Sequence, residues 1–202
     1  MAGIGMYGVY YAKATISSGA ITGYGTVGQM GKAIGATYTP AEVGTNPLYA
    51  NNSIAETDAA LVAGGELSIT LDKLTSTARA DIFGLTSTTV TVTIGTSTTT
   101  GTGFLYDGTE SSVPVGVAFI KQSQESGNRN IHDVLIYSYC TFREPEEEYA
   151  TLGEEVEWQT PTLEATVSGA SVTAPVPWRA MMRFASQAEA VQYITNFFAA
   201  SY

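Results

Sequence analysis

The sequence predicts a fold of the α+β class that is mainly β, an antiparallel sandwich or partial barrel with two helices. Charged residues make up only 14% of the 202-residue chain, while threonine, serine, glycine and tyrosine are abundant. Branched and aromatic side chains favour strands because they pack well on a pleated surface. Polar and apolar residues alternate over Glu66–Asp72 and over Thr88–Ile94, which is the period of a strand with one buried face. Helical spacing is confined to two segments, after Thr75 and after Ser186.

The N-terminal segment is predicted to be a flexible arm. Met1–Gly31 is rich in glycine and tyrosine, and we expect it to become ordered on contact with another molecule. Tyr7, Val9 and Tyr11 stand at alternate positions, so a short strand within this segment is an alternative interpretation. Ala33–Pro47 follows as a loop, because prolines and glycines interrupt it.

Strands and a first helix follow this loop. Leu48–Val62 is strand-like and leads to a pair of glycines that indicates a hairpin. The clearest strand comes next, with Leu67, Ile69 and Leu71 on one face. A short helix is predicted over Thr75–Phe83, because a threonine stands at its start and a glycine follows its end.

Five more strands are predicted after the first helix. Thr88–Ile94 is a strand, and the tract rich in threonine and glycine after it, Gly95–Gly103, is interpreted as an exposed turn or loop. Val113–Gln122 and Ile131–Phe142 flank a Ser-Gly-Asn turn and form a long hairpin. The last two strands are Glu155–Val167, which Pro161 interrupts, and Trp178–Phe184.

The chain closes with an amphipathic helix over Ser186–Ala200. Ser186 and Glu189 form a capping box, and Val191, Ile194 and Phe198 make one apolar stripe. No internal repeat or linker divides the sequence, so we expect a single domain over residues 1–202.

Charge and cysteine content narrow the functional class. The net charge is −10 with only nine lysines and arginines, which argues against a protein that grips nucleic acid, since phosphates are held by cations. Cys140 is the single cysteine, so no internal disulfide is possible and we expect a buried thiol. Neither a signal-peptide pattern nor an apolar run of roughly 18 residues is present. We expect a protein that is made and assembled in the cytoplasm.

The candidate catalytic and ligand-binding residues do not combine into a site. Gly23–Gly28 matches the G-x-G-x-x-G fingerprint, but that motif binds a dinucleotide only between a strand and a helix. Asp133 follows the only histidine, His132, on a strand and therefore points to the opposite face, where it cannot orient the imidazole. Cys140 and His132 lack the further ligands of a zinc site. A solvated acidic loop is predicted for Glu144, Glu146, Glu147 and Glu148. We expect no catalytic residue, metal or cofactor.

Four segments, taken in order, carry a family resemblance. They are Gly31–Pro40 (GKAIGATYTP), Leu48–Gly84 (LYANNSIAETD and onward), Pro114–Asn130 (PVGVAFIKQSQESGNRN) and Tyr139–Val167 (YCTFREPEEEY and onward). Together they resemble the major tail tube protein of long-tailed bacteriophages with non-contractile tails. The match covers most of residues 31–167, and the tract Thr86–Thr102 departs from it.

The resemblance implies a structural protein of the virion tail and not an enzyme. Such subunits form rings, usually hexameric, that stack into a tube for DNA, and their partners are tape-measure, tail-tip and tail-terminator proteins. The long loop and the N-terminal arm that reach the next ring would fall on Thr37–Asp58 and on Met1–Gly31. The helix Thr75–Phe83 would lie behind the sheet. The residues expected to contact the next ring are Asn46, Leu48, Tyr49, Asn51, Asn52 and Ile54.

Two polar strand faces have two interpretations. Glu155, Glu157 and Gln159 share one face opposite Val156 and Trp158, and a second polar face is formed by Glu66, Ser68 and Thr70. An ordinary solvated sheet face accounts for both. If either face lined the channel, its negative charge would repel phosphates, so DNA would slide without binding.

Other classes of protein remain open. A head-decoration protein or the inner tube of a contractile device would use similar folds. A surface adhesin or pilin-like sandwich would need a signal peptide, and a small enzyme would need a convergent site.

Overall fold

The computed structural model describes residues 2–41, 46–50, 53–58, 64–125, 127–147, 160–169 and 176–200. Within them the fold is mainly β and antiparallel with two helices, which confirms the predicted class. The strands are β1 (Ala2–Ser17), β2 (Ala20–Tyr24), β3 (Gly28–Gly31), β4 (Ala33–Pro40), β5 (Asn46–Ala50), β6 (Ser53–Asp58), β7 (Gly64–Leu71), β8 (Ser87–Ile94), β9 (Ser97–Phe104), β10 (Val115–Glu125), β11 (Asn128–Phe142), β12 (Thr162–Ser168) and β13 (Arg179–Phe184). The helices are α1 (Ser76–Phe83) and α2 (Gln187–Ala199).

The main sheet closes on itself as a barrel. β1, β10, β11, β12, β7 and β4 are hydrogen-bonded neighbours in that order, and each pairing is antiparallel. β3 pairs with β1, whereas β4 pairs with β7, and only Lys32 separates β3 from β4. This bent segment therefore links β1 to β7, and it occupies edges that an open sheet would leave unpaired.

The barrel encloses the larger of two apolar cores. Leu67, Ile69 and Leu71 of β7 are buried in it, which confirms the predicted face. Facing them are the apolar residues of the other strands, among them Val9, Val117, Tyr137 and Leu163. The helix α1 adds three buried side chains to the same core, from Ala78, Ile82 and Phe83.

The ends of α1 follow the predicted signals. Thr75 is the N-cap, and its hydroxyl accepts a hydrogen bond from the backbone N–H of Ala78 at 3.3 Å. Gly84 takes a left-handed conformation with φ of 66° and donates its backbone N–H to the carbonyl of Ala80. The Tyr11 hydroxyl of β1 donates to Asp81 Oδ2 at 2.7 Å, so a polar contact fixes the helix to the barrel wall.

The second core lies outside the barrel wall, beneath α2. Ile120 of β10 and Ile136 of β11 contribute to it from the sheet, and Ile194 and Phe198 contribute from the helix. Val191, the third residue of the predicted stripe, is partly buried against the same cluster. Ser186 and Glu189 form the predicted capping box, with hydrogen bonds of 3.3 and 3.1 Å.

The strands β10 and β11 belong to both cores. Residues 115–120 of β10 are all buried, because one face looks into the barrel and the other looks toward α2. Gly116 allows the helix to come close, since a Cβ at this position would collide with the ring of Phe198. β11 changes partner along its length: His132–Tyr137 pairs with β13, and Cys140–Phe142 pairs with β12.

The flexible arm predicted for Met1–Gly31 is wrong for the residues described. Ala2–Ser17 is a strand in the middle of the sheet, and Val9 and Met30 are completely buried. The glycines serve close packing instead of mobility. A Cβ on Gly28 would lie 2.7 Å from the ring of Tyr11, and one on Gly31 would collide with the carbonyl oxygen of Lys73.

Two loop predictions are also wrong. Ala33–Pro40 is not a loop but strand β4, and β5 and β6 form a two-stranded hairpin, so Thr37–Asp58 is not one continuous loop. Gly95–Gly103 is not only a turn, because Ser97–Phe104 pairs along its whole length with β8. Of the predicted strand Glu155–Val167, residues 155–159 lie outside the described residues and β12 begins at Thr162. The hairpin of β10 and β11 and the short strand β13 agree with the prediction.

We predict that Leu67→Ala and Phe198→Ala each lower the free energy of unfolding by ~2–5 kcal/mol, because each empties a fully buried site in a different core. Chemical denaturation followed by circular dichroism measures the change. Val90→Ala is the control, since Val90 is about half exposed on β8 and should change stability by less than ~0.5 kcal/mol. Unchanged midpoints for both core variants would contradict the assignment of the two cores.

Candidate assembly surfaces

The predicted polar residues of β7 lie at the centre of a larger polar face. Glu66, Ser68 and Thr70 alternate with the buried leucines and isoleucine, so they point out of the barrel. Their neighbours on both flanking strands are polar or lack a side chain. We call this three-strand surface the polar face, and it consists of Gly35, Thr37, Thr39, Glu66, Ser68, Thr70, Thr162, Glu164 and Thr166.

Hydroxyl groups and two carboxylates dominate the polar face. The hydroxyls of Thr70 and Thr162 lie 3.1 Å apart across the strands. Glu164 pairs with Ser68, and Glu66 pairs with Thr166. The two glutamates are therefore diagonal neighbours on adjacent strands. Arg143 borders the same depression, and its backbone N–H donates to the carbonyl of Glu164 at 2.8 Å.

Glu164 was missed as a member of this face, although the sequence contains the signal for it. Thr162, Glu164 and Thr166 alternate with Leu163, Ala165 and Val167, which are buried. The polar residues predicted for this strand are further upstream, at Glu155, Glu157 and Gln159, and these three lie outside the described residues.

The residues expected to contact a neighbouring ring lie on the hairpin of β5 and β6. Tyr49 pairs with Ile54, Leu48 pairs with Glu56, and Asn46 pairs with Asp58. The hairpin forms a sheet of its own, separate from the barrel sheet. Asn51 and Asn52 lie outside the described residues, so four of the six predicted residues are placed, on adjacent strands.

A charged cluster lies where β13 joins β11. Asp133 is almost completely buried and accepts two hydrogen bonds of 2.8 Å, from the Ser123 hydroxyl and from Nε of Arg183. Arg183 also reaches Glu125 at 3.4 Å on the exposed rim. Burial acts to raise the pKa of Asp133, but the hydrogen bonds from Arg183 and Ser123 and the charge of Arg183 hold this pKa below its ordinary value.

His132 lies apart from this cluster. It is buried on β11 next to Tyr7, with ring centroids 6.1 Å apart, while Asp133 on the other face binds Ser123 and Arg183. The predicted separation of His132 from Asp133 is therefore confirmed. Nδ1 of His132 has no hydrogen-bond partner among the described residues.

The structure also places the glycine-rich match, the single cysteine and part of the acidic loop. The glycine-rich match at Gly23–Gly28 connects β2 to β3 and is followed by a strand, which is not the strand-to-helix setting of a dinucleotide site. Cys140 is buried, as predicted, and burial raises the pKa of its thiol. In the acidic loop, Glu147 pairs with Arg79 at 2.6 Å. Glu148 lies outside the described residues.

Within the part of the chain that the structure describes, no group of three histidine, cysteine or acidic side chains is arranged to hold a metal ion, and neither helix is long and apolar enough to cross a membrane. No protein-family model matches this chain, and no curated protein matches it either.

We predict that Asp133 makes stability depend on pH in the acid range. Its folded-state pKa lies below the ordinary value of 3.8, so the stabilisation is fully present above that value and is lost as pH falls through the folded-state pKa. Asp133→Asn should lower stability at neutral pH by ~1–3 kcal/mol, because it weakens a buried, charge-assisted hydrogen-bond pair, and should flatten the acid limb of the pH profile.

Glu125→Gln provides the matched control for this prediction. It removes the other carboxylate that contacts Arg183, but both side chains of that pair are about half exposed, so the effect should be small. Denaturation midpoints measured between pH 2 and pH 7 test both variants. An acid limb of the same slope in wild type and Asp133→Asn would contradict the prediction.

Proposed function

We propose that this protein is the structural subunit of a bacteriophage tail tube, which assembles with copies of itself into stacked rings that conduct DNA. The observation that carries the proposal is that two hairpins, β5–β6 and β8–β9, form sheets of their own outside a closed barrel. The order of the four family-like segments supports the same function. In this role the rings are usually hexameric, and the partners are tape-measure, tail-tip and tail-terminator proteins.

The two separate hairpins support assembly because the backbone N–H and C=O groups along a strand edge can pair with another chain. A two-stranded hairpin is only marginally stable in water, so a protein that carries one gains from covering it. The outer edges of β5, β6, β8 and β9 have no partner strand among the described residues, and such edges are templates for pairing with another chain. We assign the contact with the next ring to β5–β6, which carries Leu48, Tyr49 and Ile54.

The polar face is the part of the barrel that suits the wall of a DNA channel. It combines threonine and serine hydroxyls with the carboxylates of Glu66 and Glu164. Repeated around a ring, these carboxylates would repel phosphates and keep moving DNA away from the wall. The one basic side chain among the described residues that line its depression is Arg143, which lies near Glu164.

Assembly is the direct test of the proposed function. We predict that the purified chain forms rings or tubes above a threshold concentration, either alone or with the tail-tip complex as initiator. Sedimentation velocity over a series of concentrations measures the assembly, and negative-stain images show its shape. A compact monomer at every concentration, with the initiator present, would contradict the proposal. Discrete oligomers without a through-channel would point to a decoration protein instead.

Charge reversal tests the lumen assignment separately. In assembled tubes, we predict that Glu66→Lys creates a ring of cations that binds short duplex DNA and that added salt weakens this binding steeply. Glu125→Lys is the control, because it makes the same charge change on an exposed rim away from the polar face. Fluorescence anisotropy of labelled DNA measures both variants. Equal binding by the two variants, or failure of Glu66→Lys to form tubes, would show that the polar face does not line the channel.

A further inference from the structure

Four strands of the main sheet form a unit with an open edge on each side. β1, β10, β11 and β13 are neighbours in that order, and each pair is antiparallel. Three successive rows of paired residues cross all four strands. The rows are Gly5, Gln122, His132 and Phe184; Met6, Lys121, Asp133 and Arg183; and Tyr7, Ile120, Val134 and Met182. We call these four strands the edge sheet.

The first open edge belongs to β1. β10 pairs with one side of this strand, while β3 covers residues 9–11 and β2 covers residues 14–17 on the other side. Among the described residues, no strand covers that other side of residues 2–7. This stretch contains no charged residue and no proline, which are two of the devices that keep exposed edges from pairing. Ile4, within it, is 46% exposed.

The second open edge belongs to β13. In the part of the chain that the structure describes, β13 pairs with β11 and with no other strand. Met181 and Met182 follow each other on this strand, so they lie on opposite faces of the sheet. They are 66% and 48% exposed. The edge of β13 therefore lacks both a neighbouring strand and apolar cover on its two faces.

The arginines of β13 already have partners within the subunit. Arg183 binds the carboxylates of Asp133 and Glu125. The guanidinium of Arg179 lies over the ring of Tyr38, 5.0 Å from its centroid. What the β13 edge can offer a second molecule is therefore its backbone and its methionines, and not a free charge.

The directions of the strands fit a second copy of this chain to both edges. Because the edge sheet has four antiparallel strands, β1 and β13 run in opposite directions. A copy rotated about a ring axis keeps the orientation of its sheet, so its β1 lies antiparallel to the β13 beside it. The antiparallel order then continues from one subunit to the next. With an odd number of strands, the same rotation would give parallel pairing, which is slightly less stable per residue.

We propose that the open edge of β1 in one subunit pairs with the open edge of β13 in a second copy of this chain, so that their edge sheets join side by side. This inference rests on the proposed function and names the contact within one ring. The contact is heterologous, because each subunit offers β1 to one neighbour and β13 to the other, and such a contact makes a ring when its rotation closes. The polar face lies on β4, β7 and β12, so it stays available to line the channel.

Charge favours this contact over pairing of each edge with itself. Antiparallel strands also allow β13 to pair with β13 of a copy across a twofold axis. At the register centred on Met181, that pairing would set Arg179 of each copy opposite Arg183 of the other, and like charges directly opposite are destabilising. Residues 2–12 contain no charged residue, so the β1 edge adds no such repulsion between two chains of net charge −10.

Cross-linking of engineered cysteines tests the contact, because the single native cysteine, Cys140, is buried. Ile4→Cys places a thiol on the β1 edge, and Met182→Cys places one on the β13 edge. Both native side chains are about half exposed, so both variants should fold and assemble as wild type does. If Met182→Cys prevents assembly, Met181→Cys on the opposite face of the same edge replaces it.

The cross-linker is a bismaleimide shorter than the ~14 Å that three strand spacings place between the two edges of one subunit. It is added to assembled tubes of each single variant, of the two single variants mixed, and of the double variant. Gln192→Cys mixed with Met182→Cys is the matched control, because Gln192 is exposed on α2 and lies on neither edge. Denaturing gels measure the covalent species, and negative-stain images confirm the tubes.

We expect neither single variant to cross-link on its own, because a heterologous contact does not bring two like edges together. Tubes made from Ile4→Cys and Met182→Cys mixed should give covalent dimers and no larger species, since each chain carries one reactive thiol. The double variant should give a ladder of species that ends at the number of subunits in one ring. The control mixture should give no dimers.

Each other outcome overturns a specific part of the proposal. Dimers from either single variant alone would show that its edge pairs with itself. Tubes that form normally but give no dimers from the mixed variants would overturn the contact and leave the proposed function intact. A ladder that continues past one ring would place the contact between rings instead. If wild type itself stays monomeric with the tail-tip complex present, the proposed function fails and the inference fails with it.

Discussion

Closure of the barrel depends on the bend between β3 and β4. The chain passes from a strand that pairs with β1 to one that pairs with β7 across the single residue Lys32. The bend is held tightly: the Lys32 N–H donates to Asp72 Oδ1 at 2.8 Å, and Gly31 approaches the backbone of Lys73 more closely than a side chain would allow. Because this bend links β1 to β7, the interior becomes one enclosed core and the outward faces become available for other contacts.

The layers of the molecule follow from that closure. β10 and β11 form a wall between two cores, so their residues are buried on both faces, and the helix α2 closes against the outer side of this wall. β7 and β12 have one buried face and β4 has one partly buried face, so the other face of each strand can be polar. The barrel is therefore apolar inside, helix-covered on one side and polar on another. A subunit built in this way presents different chemistry in different directions.

Sequence patterns predicted those elements whose local signals agree with their final environment. The alternation around Leu67 and Ile69, the caps of both helices and the turn between β10 and β11 each have a local cause, and each was placed correctly. The N-terminal strands were missed because glycine normally weakens a strand. Here Gly28 and Gly31 are needed for close approach to Tyr11 and Lys73, and a pattern within one segment does not contain that tertiary information.

The candidate surfaces were predicted less completely than the fold, for a related reason. The polar residues of β7 were identified from alternation, but their neighbours Thr37 and Glu164 depend on which strands flank β7, and long-range pairing of that kind is not a local signal. β9 was missed because its threonines and glycines leave no apolar face of its own, so the period of a strand was hidden. Its pairing with Val90, Val92 and Ile94 is what gives the hairpin an apolar side.

The distribution of charge connects the fold to the proposed assembly. A protein with several open strand edges is at risk of pairing in the wrong register, and self-repulsion is one defence against it. A net charge of −10 keeps free subunits apart, but this repulsion acts over only ~8–10 Å at moderate salt. Correct pairing must then come from surfaces where the repulsion is absent. The hairpin of β8 and β9 has that property, because residues 82–106 carry no charged side chain, and so does the open edge of β1. Charge elsewhere on the chain would then act as a filter, because it penalises approaches that do not lead through these segments.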